Sequence, residues 1–141
     1  MVIIGIAIAG VSISLDVLRG RDTQLALERL RWVLEATAER ARLRGTPLAF
    51  EQVADGYRFS QLYPDGRWLP FEAPPVFTEK TLPAELSWGE LRASGQRAQR
   101  IVFGTRSPHF TLAVHTPQGL ARYQGTPTGR VRMAAPGQPA P

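Results

Sequence analysis

The chain opens with a continuous run of apolar residues. No charged side chain occurs from Met1 to Leu15, and the segment from Val2 to Ala9 is apolar throughout. A helix rises about 1.5 Å per residue and needs about 20 apolar residues to cross a bilayer. The run is shorter than this. We therefore expect an apolar membrane or assembly helix over 1–20 whose first turns precede Met1.

Small residues recur within this run at a spacing of four. Gly5 and Ala9 would lie on one side of a helix, flanked by Ile4 and Ile8. Small side chains at this spacing let two helices approach closely in lipid, although they are also common in apolar helices that make no such contact. The pattern favours Ile4, Gly5, Ile8 and Ala9 as the residues that pack against partner helices.

The pattern changes from a run to a stripe in residues 21–46. Apolar residues recur there at spacings of three and four, which predicts an amphipathic helix that continues the first one. The stripe consists of Leu27, Leu30, Leu34, Ala38 and Ala41. On the polar side, Arg31 is spaced to pair with Glu28 and with Glu35. The predicted element is thus one long helix with a solvated face.

The end of this helix is marked by two residues. Gly45 is a typical residue just past a helix C-terminus, and Pro47 cannot continue the helix. No proline interrupts the chain before Pro47. Gly20 is the one weak point, where the helix could kink.

The spacing of apolar residues becomes two after Pro47, which predicts β-strands. Asp55-Gly56 predicts a hairpin turn because glycine accepts a positive φ, and Pro64-Asp65-Gly66 predicts a second turn. The strands of this predicted meander are 48–51, 57–63 and 67–69.

The rest of the chain divides into two parts. Prolines break every run between Pro70 and Gln99, which indicates short edge strands and loop. A second group of strands is predicted at 101–103, 110–115, 120–124 and 130–133. The composition of 134–141 is typical of a disordered tail. The sequence therefore predicts an α+β fold, with a β-rich globular domain at 47–133 behind the helix.

The sequence offers few candidate catalytic residues. The chain lacks cysteine, which excludes a thiolate metal site and a cysteine nucleophile. Asp55 and Asp65 each precede a glycine in a predicted turn, where a carboxylate usually bonds its own backbone. His109 and His115 would be about 20 Å apart along one strand. We predict no enzyme activity, no metal site and no cofactor.

Two further predictions concern long side chains. Trp32 and Trp68 would most simply pack together in the core. Arg130 and Arg132 would present two guanidinium groups on one side of the last strand, suited to a polyanion or to the acidic side chains of a neighbouring subunit. The net charge of +5 is compatible with either partner.

The order of these parts resembles the type IV pilins and the pseudopilins of type II secretion. Within that superfamily the chain is most similar to the minor pseudopilin H (GspH) group, related to the FimT and FimU minor pilins, from Met1 to Met133. The similar segments are Met1–Ala7, Arg40–Leu48, Asp55–Phe59, Asp65–Trp68 and Ile101–Gly104.

The resemblance implies a pilin-like fold and a structural role. It implies a subunit held in the bacterial inner membrane by its N-terminal helix, with its globular domain in the periplasm. The implied partners are other pseudopilins, the inner-membrane platform of the secretion system and, for a longer precursor, the prepilin peptidase. The glycine-phenylalanine processing site of the family, with its following glutamate, does not occur in this sequence. We expect that a misplaced start codon accounts for this.

Two functions follow as hypotheses. The first is a minor pseudopilin that supports protein export across the outer membrane. The second is a type IV pilus minor pilin involved in pilus assembly or DNA uptake, which the net charge and the pair Arg130 and Arg132 favour. Nucleic acid is not an expected partner under the first hypothesis.

Overall fold

A single helix forms the N-terminal third of the chain. The computed structural model describes residues 2–139, with side chains described from Arg21 onward, so the predicted packing of Ile4, Gly5, Ile8 and Ala9 lies outside the described side chains. Helix α1 (Val2–Arg44) passes Gly20 as continuous helix. It ends as predicted, because Gly45 adopts a φ of 65° and donates its N–H to the Ala41 carbonyl at 2.9 Å.

The predicted apolar stripe of α1 is its buried face. Leu27, Leu30, Leu34, Ala38 and Ala41 are all buried. On the polar side, Arg31 pairs with Glu28 at 3.0 Å and with Glu35 at 3.2 Å, as the spacing predicts. The sequence pattern therefore predicted both the buried and the solvated face of this part of the helix correctly.

In the described residues, ten strands follow α1 and form two antiparallel sheets. The strands are β1 (Leu48–Val53), β2 (Gly56–Leu62), β3 (Trp68–Pro70), β4 (Lys80–Thr81), β5 (Ser87–Ala93), β6 (Gln96–Arg97), β7 (Arg100–Phe103), β8 (Phe110–Thr116), β9 (Gly119–Gly125) and β10 (Val131–Ala134). The first sheet has the order β3-β2-β1-β7, and β4 also pairs with β2. The second has the order β10-β9-β8-β5-β6. The α+β class and the initial three-strand meander are confirmed.

Two strands are placed differently from the prediction. β7 belongs to the first sheet, where Phe50 of β1 faces Ile101, and not to the group formed by the later strands. β5 is a seven-residue strand between β6 and β8, and not an edge strand or loop. Its pairing with β8 shifts register between Trp88 and Leu91, and this irregularity hides the two-residue period.

The first hairpin also differs in its turn. Ala54 and Asp55 are the two turn residues, and Gly56 already pairs with Val53. Gly56 does not adopt a positive φ. It is needed because a Cβ at this position would collide with the Lys80 carbonyl of β4. The glycine thus serves a close backbone approach and not a left-handed turn.

The helix is joined to the second sheet by two polar contacts, one buried and one partly buried. Tyr123 of β9 donates its hydroxyl to the Leu27 carbonyl at 2.7 Å. Glu35 accepts the N–H of Val131, the first residue of β10, at 3.0 Å. Ala134, which we placed in the tail, is the last residue of β10 and is buried. The disorder of the residues beyond it stays a prediction.

The two sheets are joined by a tryptophan whose role the sequence did not indicate. The indole N–H of Trp88 in β5 donates to the carbonyls of Val53 and Gly56 at 2.9 and 2.8 Å, and its ring meets Phe50 edge-on. The predicted packing of Trp32 on Trp68 is wrong. Trp32 is 55% exposed on α1, and Trp68 lies on β3 with the Arg100 guanidinium 4.8 Å from its ring centre.

Candidate interaction surfaces

The described residues do not assemble a metal centre. From Arg21 to Pro139, no group of three or more histidine or carboxylate side chains is placed to hold a metal ion. A hollow of about 930 Å³ is open to solvent and lies beside Glu51, Arg58 and Arg97. The outer surfaces of the two sheets carry charged side chains that are candidates for binding.

The outer surface of the second sheet carries a row of aligned side chains. The strand register places five residues side by side, one from each strand, and four of them are exposed. At about 4.8 Å between strands the row is about 19 Å long. From β6 to β10 it consists of Arg97, Arg92, Thr111, Gln124 and Arg132. We call this row, with the neighbouring exposed Arg122, the arginine face.

The arginine face has little countercharge. Residues 91–141 contain seven arginines and no aspartate or glutamate. Glu90 is the one carboxylate in the five strands of this sheet, and it pairs with Arg92 at 3.1 Å and with Arg97 at 3.3 Å. These two guanidinium groups hold the pKa of Glu90 below its usual value. Arg122 and Arg132 have no ion-pair partner within the described part of the chain.

The two arginines singled out from the sequence lie at one end of this face. Arg132 is in β10, and Arg130 immediately precedes that strand. Both are exposed, whereas Val131 between them is buried. Sequence reasoning missed Arg92, Arg97 and Arg122, because only the strand register brings them near Arg132. Their shared signal in the sequence is the absence of carboxylates after Glu90.

The outer surface of the first sheet carries a different network, in which one carboxylate lies beside two guanidinium groups. Glu51 of β1 accepts hydrogen bonds from Ser60 at 2.5 Å and from Arg58 at 3.0 Å, and it faces Arg100 of β7 in the register. Burial raises the pKa of Glu51, but these hydrogen bonds and the charges of Arg58 and Arg100 outweigh it and set the pKa below its usual value. Trp68 stacks on Arg100 and completes the network.

Comparisons with known proteins identify solved structures with a similar architecture. Neither the protein-family models nor the curated proteins contain a match to the chain. Two solved structures of the minor pseudopilin EpsH from the type II secretion system of Vibrio cholerae do match it. One has a TM-score of 0.66 at 20% identity and covers 82% of this chain and 98% of that chain. The other has a TM-score of 0.60 at 17% identity and covers 84% and 93%. The chain has the minor pseudopilin fold.

In the part of the chain whose side chains are described, both outer sheet surfaces and the outer side of α1 carry exposed residues. The arginine face lies on the second sheet, and the Glu51 network lies on the first. Leu25 and Trp32 are exposed on the part of α1 that the structure describes. Among the described residues, no helix has an apolar stretch long enough to span a membrane.

Proposed function

We propose that the chain is a minor pseudopilin, a structural subunit of a type II secretion pseudopilus that supports protein export across the outer membrane. The observation that supports this proposal is the extent of the likeness to EpsH, since 82% of this chain and 98% of that structure are covered at a TM-score of 0.66. In this role the protein works by packing against other subunits and not by catalysis.

The proposed location follows from the apolar N-terminal segment. The helix over 1–20 would anchor the subunit in the inner membrane and later join a bundle of partner helices, with the globular domain in the periplasm. Other pseudopilins and the inner-membrane platform would be its partners. For a longer precursor, a prepilin peptidase would be a further partner. The sequence from Val2 to Ala9 supports the helix-packing part of this proposal.

Deletion of the gene in the native host tests the role directly. We expect export of the host's type II substrates to fail and to return when the gene is supplied with its upstream codons. Normal export in the deletion strain would contradict the proposal. The N-terminal peptide of the membrane-extracted protein tests the precursor, because a methylated phenylalanine upstream of Met1 is the expected product of the peptidase.

Substitution inside the apolar segment tests the packing residues. Replacing both Gly5 and Ala9 with leucine would separate closely packed helices, whereas Ile4→Leu and Ile8→Leu keep the volume of the side chains. We expect the first pair to block export and the second pair to preserve it. Equal export by both double variants would show that the small residues are not needed for assembly.

A second candidate function rests on the arginine face. A pilus minor pilin that binds DNA needs exposed guanidinium groups without carboxylate partners, and Arg122, Arg130 and Arg132 meet that requirement within the described residues. We expect Arg130→Ala with Arg132→Ala to lower the salt dependence of duplex-DNA binding by about two counterions. Arg58→Ala and Arg67→Ala, at residues already paired with carboxylates, form the control. Absence of binding at low salt would exclude this function.

A further inference from the structure

A preformed hollow lies between α1 and the segment that precedes β4. Its volume is about 550 Å³, and its apolar part is made by Leu25, Trp32, Pro75 and Val76. Leu25 is 61% exposed and Trp32 is 55% exposed. Exposing a tryptophan and a leucine beside one another leaves apolar area in water, which is unfavourable unless another molecule covers it.

The position of these residues on α1 separates them from the core. Leu25, Arg29 and Trp32 are spaced by four and three, so they share one face of the helix. That face lies about opposite the buried one carrying Leu27 and Leu34, given 3.6 residues per turn. The helix is therefore apolar on two sides, and folding of the chain itself uses only one of them.

The other wall of the hollow is held in place by aromatic contacts. Phe77 is buried and meets Phe59 of β2 at 5.4 Å between ring centres. The Arg40 guanidinium of α1 lies 4.9 Å from the ring centre of Phe71 and 5.3 Å from that of Phe77. Backbone bonds between Ala73 and Phe77 in both directions close the segment that carries Pro75. The hollow thus exists before a partner arrives.

The rim of the hollow is positively charged. Arg29 and Lys80 line it, and neither has an ion-pair partner among the described residues. Arg31 and Glu28 also line it and pair with each other at 3.0 Å, and Arg31 pairs with Glu35 as well. The lining therefore carries three cations and one carboxylate. An isologous contact between two copies would place each cationic rim against the other. The charge therefore disfavours a second copy and favours a partner that carries carboxylates.

We propose that this hollow is the docking site for a different, acidic subunit of the same filament, whose contacting segment inserts an apolar side chain against Trp32 and places carboxylates beside Arg29 and Lys80. This proposal rests on the proposed function, because it takes the partner to be another pseudopilin. It assigns the contact to the outer face of α1 and not to the arginine face.

The experiment is site-specific photocrosslinking of the full-length protein in its native host. The photoreactive residue p-benzoylphenylalanine replaces Trp32 in one strain and Tyr63, another exposed aromatic residue, between β2 and β3, in a control strain. We expect position 32 to form an adduct with another pseudopilin, mapped by mass spectrometry to a peptide with an apolar side chain flanked by carboxylates. Position 63 should not form that adduct.

Charge reversal tests the rim. Arg29→Glu with Lys80→Glu should reduce the yield of the position-32 adduct about tenfold, and a lysine in place of the partner's carboxylate should restore it. The unfolding midpoint of the purified double variant should match that of the parent, which separates lost binding from lost folding.

The outcomes separate this proposal from the function on which it rests. In cells that still export protein, an adduct of position 32 with a second copy or with lipid, or the absence of any adduct, would overturn the docking site. The proposed function would stay intact. An adduct whose yield does not change on charge reversal would also overturn the docking site. Normal export after gene deletion would instead contradict the proposed function.

Discussion

Tyr123 donates its hydroxyl to the backbone carbonyl of Leu27 at 2.7 Å, across a sequence separation of 96 residues. The contact is buried, and it joins α1 to the second sheet, which carries the arginine face. The phenol reaches past the side chains of the core to the helix backbone. This hydrogen bond therefore fixes the position of β9 along the axis of α1. This position therefore links the two parts of the fold that bear candidate surfaces.

Tyr123→Phe should lower the free energy of unfolding by about 1 kcal/mol. The substitution keeps the ring and removes one buried hydrogen bond, whose net contribution is usually of this size. Urea unfolding at neutral pH measures the loss. Tyr63→Phe is the matched control, because Tyr63 is 43% exposed and its variant should unfold like the parent. Equal stability of all three proteins would show that the hydroxyl contributes nothing.

The same phenol should make the protein sensitive to alkali. Burial raises the pKa of Tyr123 well above the ordinary value of 10.0, and the nearby charge of Glu28 raises it further. As the pH rises above this ordinary value, only the unfolded chain loses the proton, so stability falls. Tyr123→Phe should reduce the fall. It should not abolish it, because burial also raises the pKa of Tyr57. Parallel alkaline denaturation curves for parent and variant would contradict this account.

Trp88→Phe should cost about 1–3 kcal/mol of stability. The variant keeps an aromatic ring beside Phe50 but leaves the carbonyls of Val53 and Gly56 without the indole donor at the junction of the sheets. Trp32→Phe is the control, since that side chain is mostly exposed and its variant should differ by less than about 0.5 kcal/mol. Thermal or urea unfolding of both variants distinguishes them. A larger loss at position 32 would reverse our assignment.

The three tryptophans show what the sequence could and could not predict. A regular period identified the buried stripe of α1 and most strands, because burial repeats wherever an element is regular. The period did not predict the position of Trp88, because that position depends on an irregular pairing between β5 and β8. Trp32 was expected in the core because aromatic residues usually are. Its exposure follows from its helical phase, which places it opposite Leu27 and Leu34.

The candidate surfaces were less predictable than the fold. Arg130 and Arg132 are neighbours in the sequence and were found from it. The rest of the arginine face comes from strands that meet only in the second sheet, so its members are separated by up to 40 residues. The hollow beside Trp32 depends on how the segment carrying Pro75 folds back on α1. Long-range pairing of this kind leaves no local pattern.

Gly56→Ala should destabilise the protein by about 1–3 kcal/mol, as overpacking of a close contact usually does. The added methyl group would collide with the Lys80 carbonyl, and a backbone atom in a paired strand cannot move aside as a side chain does. Gly104→Ala is the control, because the nearest atom to its Cβ would be 3.9 Å away. Urea unfolding of both variants measures the difference. If the variant were as stable as the parent, the close approach of β4 would not be what requires glycine at this position.

Glu51 should stabilise the protein near neutral pH and lose that effect in acid. Its pKa is raised by burial but lowered further by its bonds to Ser60 and Arg58, so in the folded chain it lies below the ordinary 4.5. The contribution is therefore complete above the unfolded pKa and disappears as the pH falls through the folded one. Glu51→Gln should be less stable than the parent at neutral pH, and the difference should shrink in acid.

Urea unfolding across this range of pH measures the difference, and Glu72→Gln is the matched control. Glu72 is exposed and has no ion-pair partner among the described residues, so its variant should follow the parent at every pH. A constant difference between parent and Glu51→Gln down to about pH 2 would show that the side chain acts through packing and not through its charge. A difference that closes in acid would assign the stabilisation to the ionised carboxylate and its arginine partners.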